Sequence, residues 1–225
     1  MTIEVASVDS IILYFDDHIT HENSLIVQHN YKILKDQNNP ALIEIVPSYN
    51  SIFITYDIFR YDFNSISKYI NKLLHNATAH QTSPKEITYI DVYYGLDVGF
   101  DLQKIATRSQ ISIEEVIALH CDRVYDVYAI GFLPGFAYMA KVDEKIATPR
   151  LETPRKMTPK GSVAIADEQT AIYPSQSPGG WNIVGKTTFE LFDKNLEELS
   201  PLSIESRVKF KSISKEEFLN QGGIL

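Results

Sequence analysis

The residues best suited to chemistry lie between 131 and 187. Lys145 to Lys160 reads KIATPRLETPRKMTPK and carries five cations, Lys145, Arg150, Arg155, Lys156 and Lys160, against one acid, Glu152. In a chain of formal net charge -8 this is a local inversion of sign. Pro149, Pro154 and Pro159 recur every five residues and hold the segment extended. Arg150 and Arg155 share that spacing, and a guanidinium binds a carboxylate or phosphate through two parallel hydrogen bonds. The segment reads as an anion-binding arm, or else as a solvated basic loop. Downstream, Gln169, Thr170 and Tyr173 supply an amide, a hydroxyl and a phenol. Ser177-Pro-Gly179-Gly180-Trp181 follows, where backbone amides can form an anion nest beside a flat apolar wall. Upstream, Phe136 and Tyr138 sit in Gly131-Phe-Leu-Pro-Gly-Phe-Ala-Tyr138, as exposed binding aromatics or as plugs of a core.

Other patterns carry less. Gly180-Trp-Asn-Ile-Val-Gly-Lys-Thr187 fits the phosphate-loop formula, but that motif needs a strand before it and a helix after it. Here turn residues precede it and TTFELFDKN, which alternates like a strand, follows. Asp16, Asp17, His18, His21 and Glu22 are ligand types without a second metal pair, so they read as an exposed helix start, and no metal site is expected. His120 is a possible site residue or a packed histidine. Its neighbour Cys121 points about 100° away on a helix, which argues against a thiolate–imidazole pair. No G-x-S-x-G or H-E-x-x-H occurs, so no catalytic nucleophile or base is assigned.

The elements that position these residues follow from composition and periodicity. The chain has 225 residues, 44% hydrophobic and 22% charged, enough to bury a core without staples. Its acidity argues against nucleic-acid binding. The lone Cys121 fits a reducing compartment, and MTIEVASVDS lacks the basic, apolar pattern of a signal peptide. No stretch is apolar enough to span a bilayer, so a soluble cytoplasmic protein is expected. Ile11 to Phe15, a helix to about Gln37, Ala41 to Val46, Ile52 to Tyr56 and a helix capped at Asn64 or Ser65 give βαββα. PSYNS reads as a five-residue hairpin loop. Ile87 to Tyr94 would complete a ferredoxin-like βαββαβ sandwich. HNATAHQTSPK reads as a linker, dividing residues 1–85 from residues 86–225. In the second part Ser112 and Glu115 promise a capping box for a short helix. Beyond it, short β-rich runs cut by Pro and Gly, including SVAIA, TAIYP, WNIVGKT, FELF and SRVKFKSI, predict a small β-barrel. The fold class is therefore α+β.

Several segments resemble the family of the first allophanate hydrolase subunit, which includes PxpB and KipI proteins. They are EEVIALH (114–120), GFLPGFAYM (131–139), TPRLETPRKMTPKGSVAIA (148–166), QTAIYP (169–174) and SPGGWNIVGKT (177–187). Ala137, Phe100, Lys160, Asp167, Glu168, Ala171 and Lys186 depart from the usual pattern. The resemblance implies that the barrel is cyclophilin-like. It implies the PxpB-type component of an ATP-dependent 5-oxoprolinase, opening 5-oxo-L-proline to L-glutamate together with PxpA-like and PxpC-like subunits. ATP would be used by the complex. An unstrained lactam resists hydrolysis, and phosphorylating its oxygen would make the carbonyl electrophilic for water. On this reading Arg150 or Arg155 takes the carboxylate or a phosphoryl oxygen. Gln169 and Thr170 hydrogen-bond the lactam, and Trp181, Phe136 and Tyr138 wall the pocket, with Ser177, Gly179, Gly180 and His120 close by. KipI likeness implies instead an inhibitor docking on a sensor histidine kinase.

Overall fold

Two strands, not one, precede the first helix. In the computed structural model, which describes residues 1–75, 86–195 and 199–225, β1 (Thr2–Ser7) and β2 (Ser10–Tyr14) form an antiparallel hairpin. The expected helix follows as α1 (His21–Asp36), started by Thr20, whose side chain accepts from the Asn23 amide. β3 (Leu42–Ser48), β4 (Ser51–Tyr56) and α2 (Phe63–His75) complete the first of two units, Met1–Pro84 and Lys85–Leu225. The β3–β4 connection is tighter than the five-residue loop expected, since only Tyr49 and Asn50 lie outside the strands. Asp62, not Asn64 or Ser65, starts α2: its carboxylate accepts from the Ser65 amide, and its own amide donates to the Ser65 hydroxyl.

The first unit's sheet runs β1-β2-β4-β3, antiparallel throughout. Alternation sends Ile11, Leu13, Ile52, Ile54 and Tyr56 to one face, where they bury Val27 and Leu34 of α1 and Ile66 and Ile70 of α2. This is a ferredoxin-like strand order, with one difference in the edge. The N-terminal β1 fills the place expected for Ile87 to Tyr94, and that segment instead joins the barrel. β1 was not legible because five of its six residues are exposed, leaving no apolar run. The linker expected at HNATAHQTSPK lies, beyond His75, outside the described residues.

The second unit is a closed seven-stranded barrel. Its strands are β5 (Ile87–Tyr93), β6 (Tyr125–Ile130), β7 (Ala137–Ala140), β9 (Ser162–Ala166), β10 (Gln169–Ile172), β12 (Asn182–Lys186) and β13 (Arg207–Ile213). They close in the order β10-β7-β6-β13-β5-β12-β9. β5 pairs in parallel with β13 over seven residues, which explains why it leaves the first unit. A ribbon of β8 (Arg155–Thr158) and β11 (Ser177–Gly179) stands apart from the barrel order. Helices α3 (Leu102–Ser109) and α4 (Ile113–Cys121) put Leu102, Ile105, Ala106 and Val116 into the same core as Ile90, Val92, Met139, Val163, Ile165 and Phe210.

Two expectations change here. The run FELF forms no strand; Leu191 from it is buried in the barrel core. The expected capping box at Ser112 is half made: Ser112 accepts from the Glu115 amide, while the Glu115 carboxylate takes Lys145 Nζ at 3.3 Å. A complete box occurs instead at Ser214 and Glu217, opening α5 (Lys215–Asn220). The segment matching the phosphate-loop formula is mostly β12, with no helix after it, as its neighbours indicated. Lys186 Nζ donates to the Ile224 carbonyl at 2.7 Å.

Candidate functional site

Period-two alternation gives the barrel wall two apolar faces. Val163, Ile165, Ile172 and Val184 point to the main core. Their neighbours Ala164, Ala166, Ala171, Tyr173 and Ile183 point the other way, into a second cluster with Phe136 and Trp181. Alanines at three positions leave room for large rings on this face. Phe136 meets Trp181 edge-on, with ring centroids 5.6 Å apart and planes at 89°, and meets Tyr138 at 4.8 Å and Tyr173 at 5.3 Å. The structure places the two loop aromatics differently. Phe136 is 1% exposed and plugs this cluster, while Tyr138 is only partly covered. Gly135, at φ 80°, permits the loop, because a side chain there would strike the Leu191 carbonyl.

Arg150 lies over Trp181, its guanidinium carbon 5.7 Å from the ring centroid. The backbone on both sides of it is pinned to the two residues that flank the tryptophan, Gly180 and Asn182. The Leu151 amide donates to the Gly180 carbonyl at 2.7 Å, and Asn182 Nδ2 donates to the Pro149 carbonyl at 2.8 Å. Asn182 is itself held by Lys104 Nζ at 3.1 Å. Among the described residues no carboxylate pairs with Arg150, and its side chain is exposed. Burial raises the Tyr138 phenol above its ordinary pKa, and the Arg150 charge pulls it back. Tyr173 behaves likewise, with burial dominant and the Trp181 amide and Arg150 opposing it.

The other cations of the arm are differently placed. Lys145 pairs with Glu115 and Lys160 with Glu190. Arg155 is committed inward. Its Nη2 lies 2.8 Å from Asp101 Oδ1, its Nη1 donates to the Trp181 carbonyl at 3.3 Å, and it stacks over Phe100 at 6.0 Å. Asp101 is buried, and its Oδ2 accepts the Ile183 amide at 2.7 Å. The structure therefore divides the two arginines that spacing made equivalent: Arg150 is available to a ligand, and Arg155 is tied into the wall.

His120 and Thr170 lie on the interior side. His120 is fully buried and stacks on Phe210 at 4.6 Å. Thr170 donates to the Ala164 carbonyl at 3.1 Å, so its remaining lone pair accepts from His120 Nε2–H at 2.8 Å. His120 Nδ1 then accepts from Tyr94 OH at 2.7 Å, and Cys121 Sγ donates to that same hydroxyl at 3.5 Å. Cys121 and His120 thus meet through Tyr94, which no spacing argument could place there. Desolvation lowers the His120 pKa to about 3, so the ring is neutral.

Gln169 opens β10 two residues before Ala171, which places it on the aromatic face at its rim. Ser177 and Gly179 lie on β11, with Ser177 opposite Thr158, and Gly180 leads from that strand to Trp181. Gly179 pairs with Arg155 across the ribbon, and a side chain on it would collide with the Tyr173 hydroxyl. Among the described residues no group of three or more His, Cys, Asp or Glu could hold a metal. Among the described residues no helix is long and apolar enough to cross a membrane. Sequence reading missed Asp101, Asn182 and Tyr94. Asp101 and Tyr94 stand in YYGLDVGFDL, where chemistry-bearing types were present without a spacing that pointed to a partner.

A family model for the carboxyltransferase domain, subdomain C and D, matches residues 1–202. The chain belongs to that family. It falls with the PxpB group within it. A Bacillus subtilis (strain 168) protein named as the B subunit of 5-oxoprolinase is 32% identical over 226 residues, covering 96% of this chain and 94% of that one. A Haemophilus influenzae protein of the same name is 37% identical over 77% of this chain and 81% of its own. Among solved structures, TTHA0988 is 31% identical with TM-score 0.81 over 92% of this chain, and this chain spans only 40% of it. A conserved uncharacterized protein of Pyrococcus horikoshii, PH0987, is 33% identical with TM-score 0.57, covering 96% of this chain and all of that one. Kluyveromyces lactis urea carboxylase shares the fold, with TM-score 0.73 at 14% identity over 94% of this chain and 22% of that one.

Proposed function

We propose that this chain is the PxpB-type component of a 5-oxoprolinase, a hydrolase active as a complex, which opens 5-oxo-L-proline to L-glutamate with cleavage of ATP. The observation that carries the reading is likeness to the Bacillus subtilis oxoprolinase component across almost the whole of both chains. The site's geometry supports it. The substrate offers one carboxylate, one planar lactam and an apolar ring edge. Arg150 supplies a guanidinium without a carboxylate partner among the described residues, Trp181 and Tyr138 a flat wall, and Gln169 an amide at the rim. Phosphoryl transfer from ATP to the lactam oxygen, then attack of water at the activated carbon, breaks the C–N bond and releases phosphate. The groups that move those protons are assigned to the PxpA-like and PxpC-like partners, because the residues of the aromatic cluster are apolar or phenolic and the buried His120 ring is held neutral. His120 and Thr170 serve from beneath, holding β10 in place.

Reconstitution tests the proposal. The chain mixed with PxpA-like and PxpC-like subunits is expected to give 5-oxoproline-dependent release of ADP and glutamate, lost when the chain is omitted. Turnover that does not need the chain would overturn it. Phe132, exposed at the tip of the Gly131–Gly135 loop, favours a second reading as a docking surface on a sensor histidine kinase. Inhibition of kinase autophosphorylation by a chain that assembles with neither partner would establish that reading instead.

A further inference from the structure

Asp101 has no assigned role, yet it is buried and hydrogen-bonded to β12, to α3 and to Arg155. Its amide donates to the Ile183 carbonyl at 2.8 Å, and its Oδ2 accepts the Ile183 amide at 2.7 Å, so it grips β12 immediately past Trp181. Its carbonyl takes the Ile105 amide, in the first turn of α3. Its Oδ1 takes Arg155 Nη2, and Arg155 Nη1 reaches the Trp181 carbonyl. Asp101 thus joins three elements: its buried carboxylate holds β12 and Arg155 of β8, its backbone carbonyl holds α3, and Arg155 carries the link on to the Trp181 carbonyl. Arg155 opens β8, and the arm from Pro149 to Arg155 is anchored at both ends: at Pro149 and Leu151 by Asn182 and Gly180, and at Arg155 by Asp101.

We propose that Asp101 is a positioning residue that, through Arg155, holds the 149–155 arm down so that the Arg150 guanidinium stays over Trp181 in reach of an anionic ligand. Arg155 then contributes geometry rather than a substrate contact. The proposed occupant of Arg150, the carboxylate of 5-oxoproline, rests on the function proposed above; the positioning itself does not.

Trp181 is the chain's single tryptophan, so its fluorescence reads the arm directly. In the full chain at a temperature where each variant is folded by circular dichroism, acrylamide quenching of Trp181 is expected to rise roughly twofold or more in Asp101→Asn, as the covering arm is released. Arg150→Ala should rise similarly, and the double variant no further, since both remove the same cover. Should Asp101→Asn fail to fold, Arg155→Lys keeps the charge but cannot reach both acceptors, and should give an intermediate rise. Quenching in Asp101→Asn or Arg155→Lys equal to wild type, or effects that add to that of Arg150→Ala, would overturn the proposal. In the assembled complex the KM for 5-oxoproline should rise about tenfold in Asp101→Asn with kcat little changed; an equal loss in kcat alone would contradict positioning of the carboxylate anchor. A wild-type complex without turnover would sink the oxoprolinase reading and leave the quenching result standing.

Discussion

Arg155→Ala is expected to cost the barrel unit about 3–5 kcal/mol, the loss typical of removing one partner from a buried ion pair. The Asp101 side chain is 7% exposed and that of Arg155 26%. Without the guanidinium, Asp101 retains the Ile183 amide as its one remaining side-chain partner, and a buried carboxylate is left uncompensated. Replacing both residues, Asp101→Asn with Arg155→Met, removes the stranded charge and should recover much of the loss. Urea unfolding followed by Trp181 fluorescence checks this, because the probe sits in the same unit. A loss below about 1 kcal/mol would mean the pair behaves like an exposed one.

His120 gives the second large effect, and it depends on pH. Its pKa is about 3 in the folded chain against an ordinary value of 6.5, because burial disfavours the charged ring. Below 6.5 the unfolded chain therefore binds a proton that the folded chain refuses. Stability falls with acid across the window from 6.5 to about 3, and this contribution is complete above 6.5. At pH 4.5, two units below the ordinary value, the histidine alone accounts for about 3 kcal/mol. Carboxylates held low by partners, such as Asp97 beside Lys215 and Asp143 beside Arg123, also lose stability in acid. The comparison with His120→Gln separates them. That variant keeps a donor toward Thr170 and starts less stable, but it should lose about 3 kcal/mol less than wild type between pH 7 and pH 4.5. Parallel pH profiles would show that the ring protonates in place.

What the sequence made legible, and what it did not, follows one physical line. Elements with an internal period were readable. α2 shows Ile66 and Ile70 on one stripe, and SVAIA and WNIVGKT became strands that bury opposite faces alternately. Elements defined by a partner were not. β1 is an exposed edge with little apolar signal, and Ile87 to Tyr93 looks the same whether it closes a sandwich or lies parallel to Arg207–Ile213. The site divides the same way. Types and spacing gathered Arg150, Arg155, Gln169, Trp181, Phe136 and Tyr138 into one stretch. Spacing could not separate the two arginines, because the difference between them is Asp101, fifty-four residues from Arg155 in sequence and 2.8 Å away in space. Nor could it show that Thr170 and Ala171, adjacent on one strand, face opposite sides of the wall.

The account stands on Arg150 as the anchor of the substrate carboxylate, and the Michaelis constant of Arg150→Ala tests it most directly. Losing a charge-assisted hydrogen-bond pair of about 1.5–3 kcal/mol should raise the KM for 5-oxoproline roughly tenfold to a hundredfold in the assembled complex. The thermal midpoint should stay near wild type, since the side chain is exposed and without a carboxylate partner among the described residues. A KM unchanged from wild type, in a complex that assembles and turns over, would contradict the account.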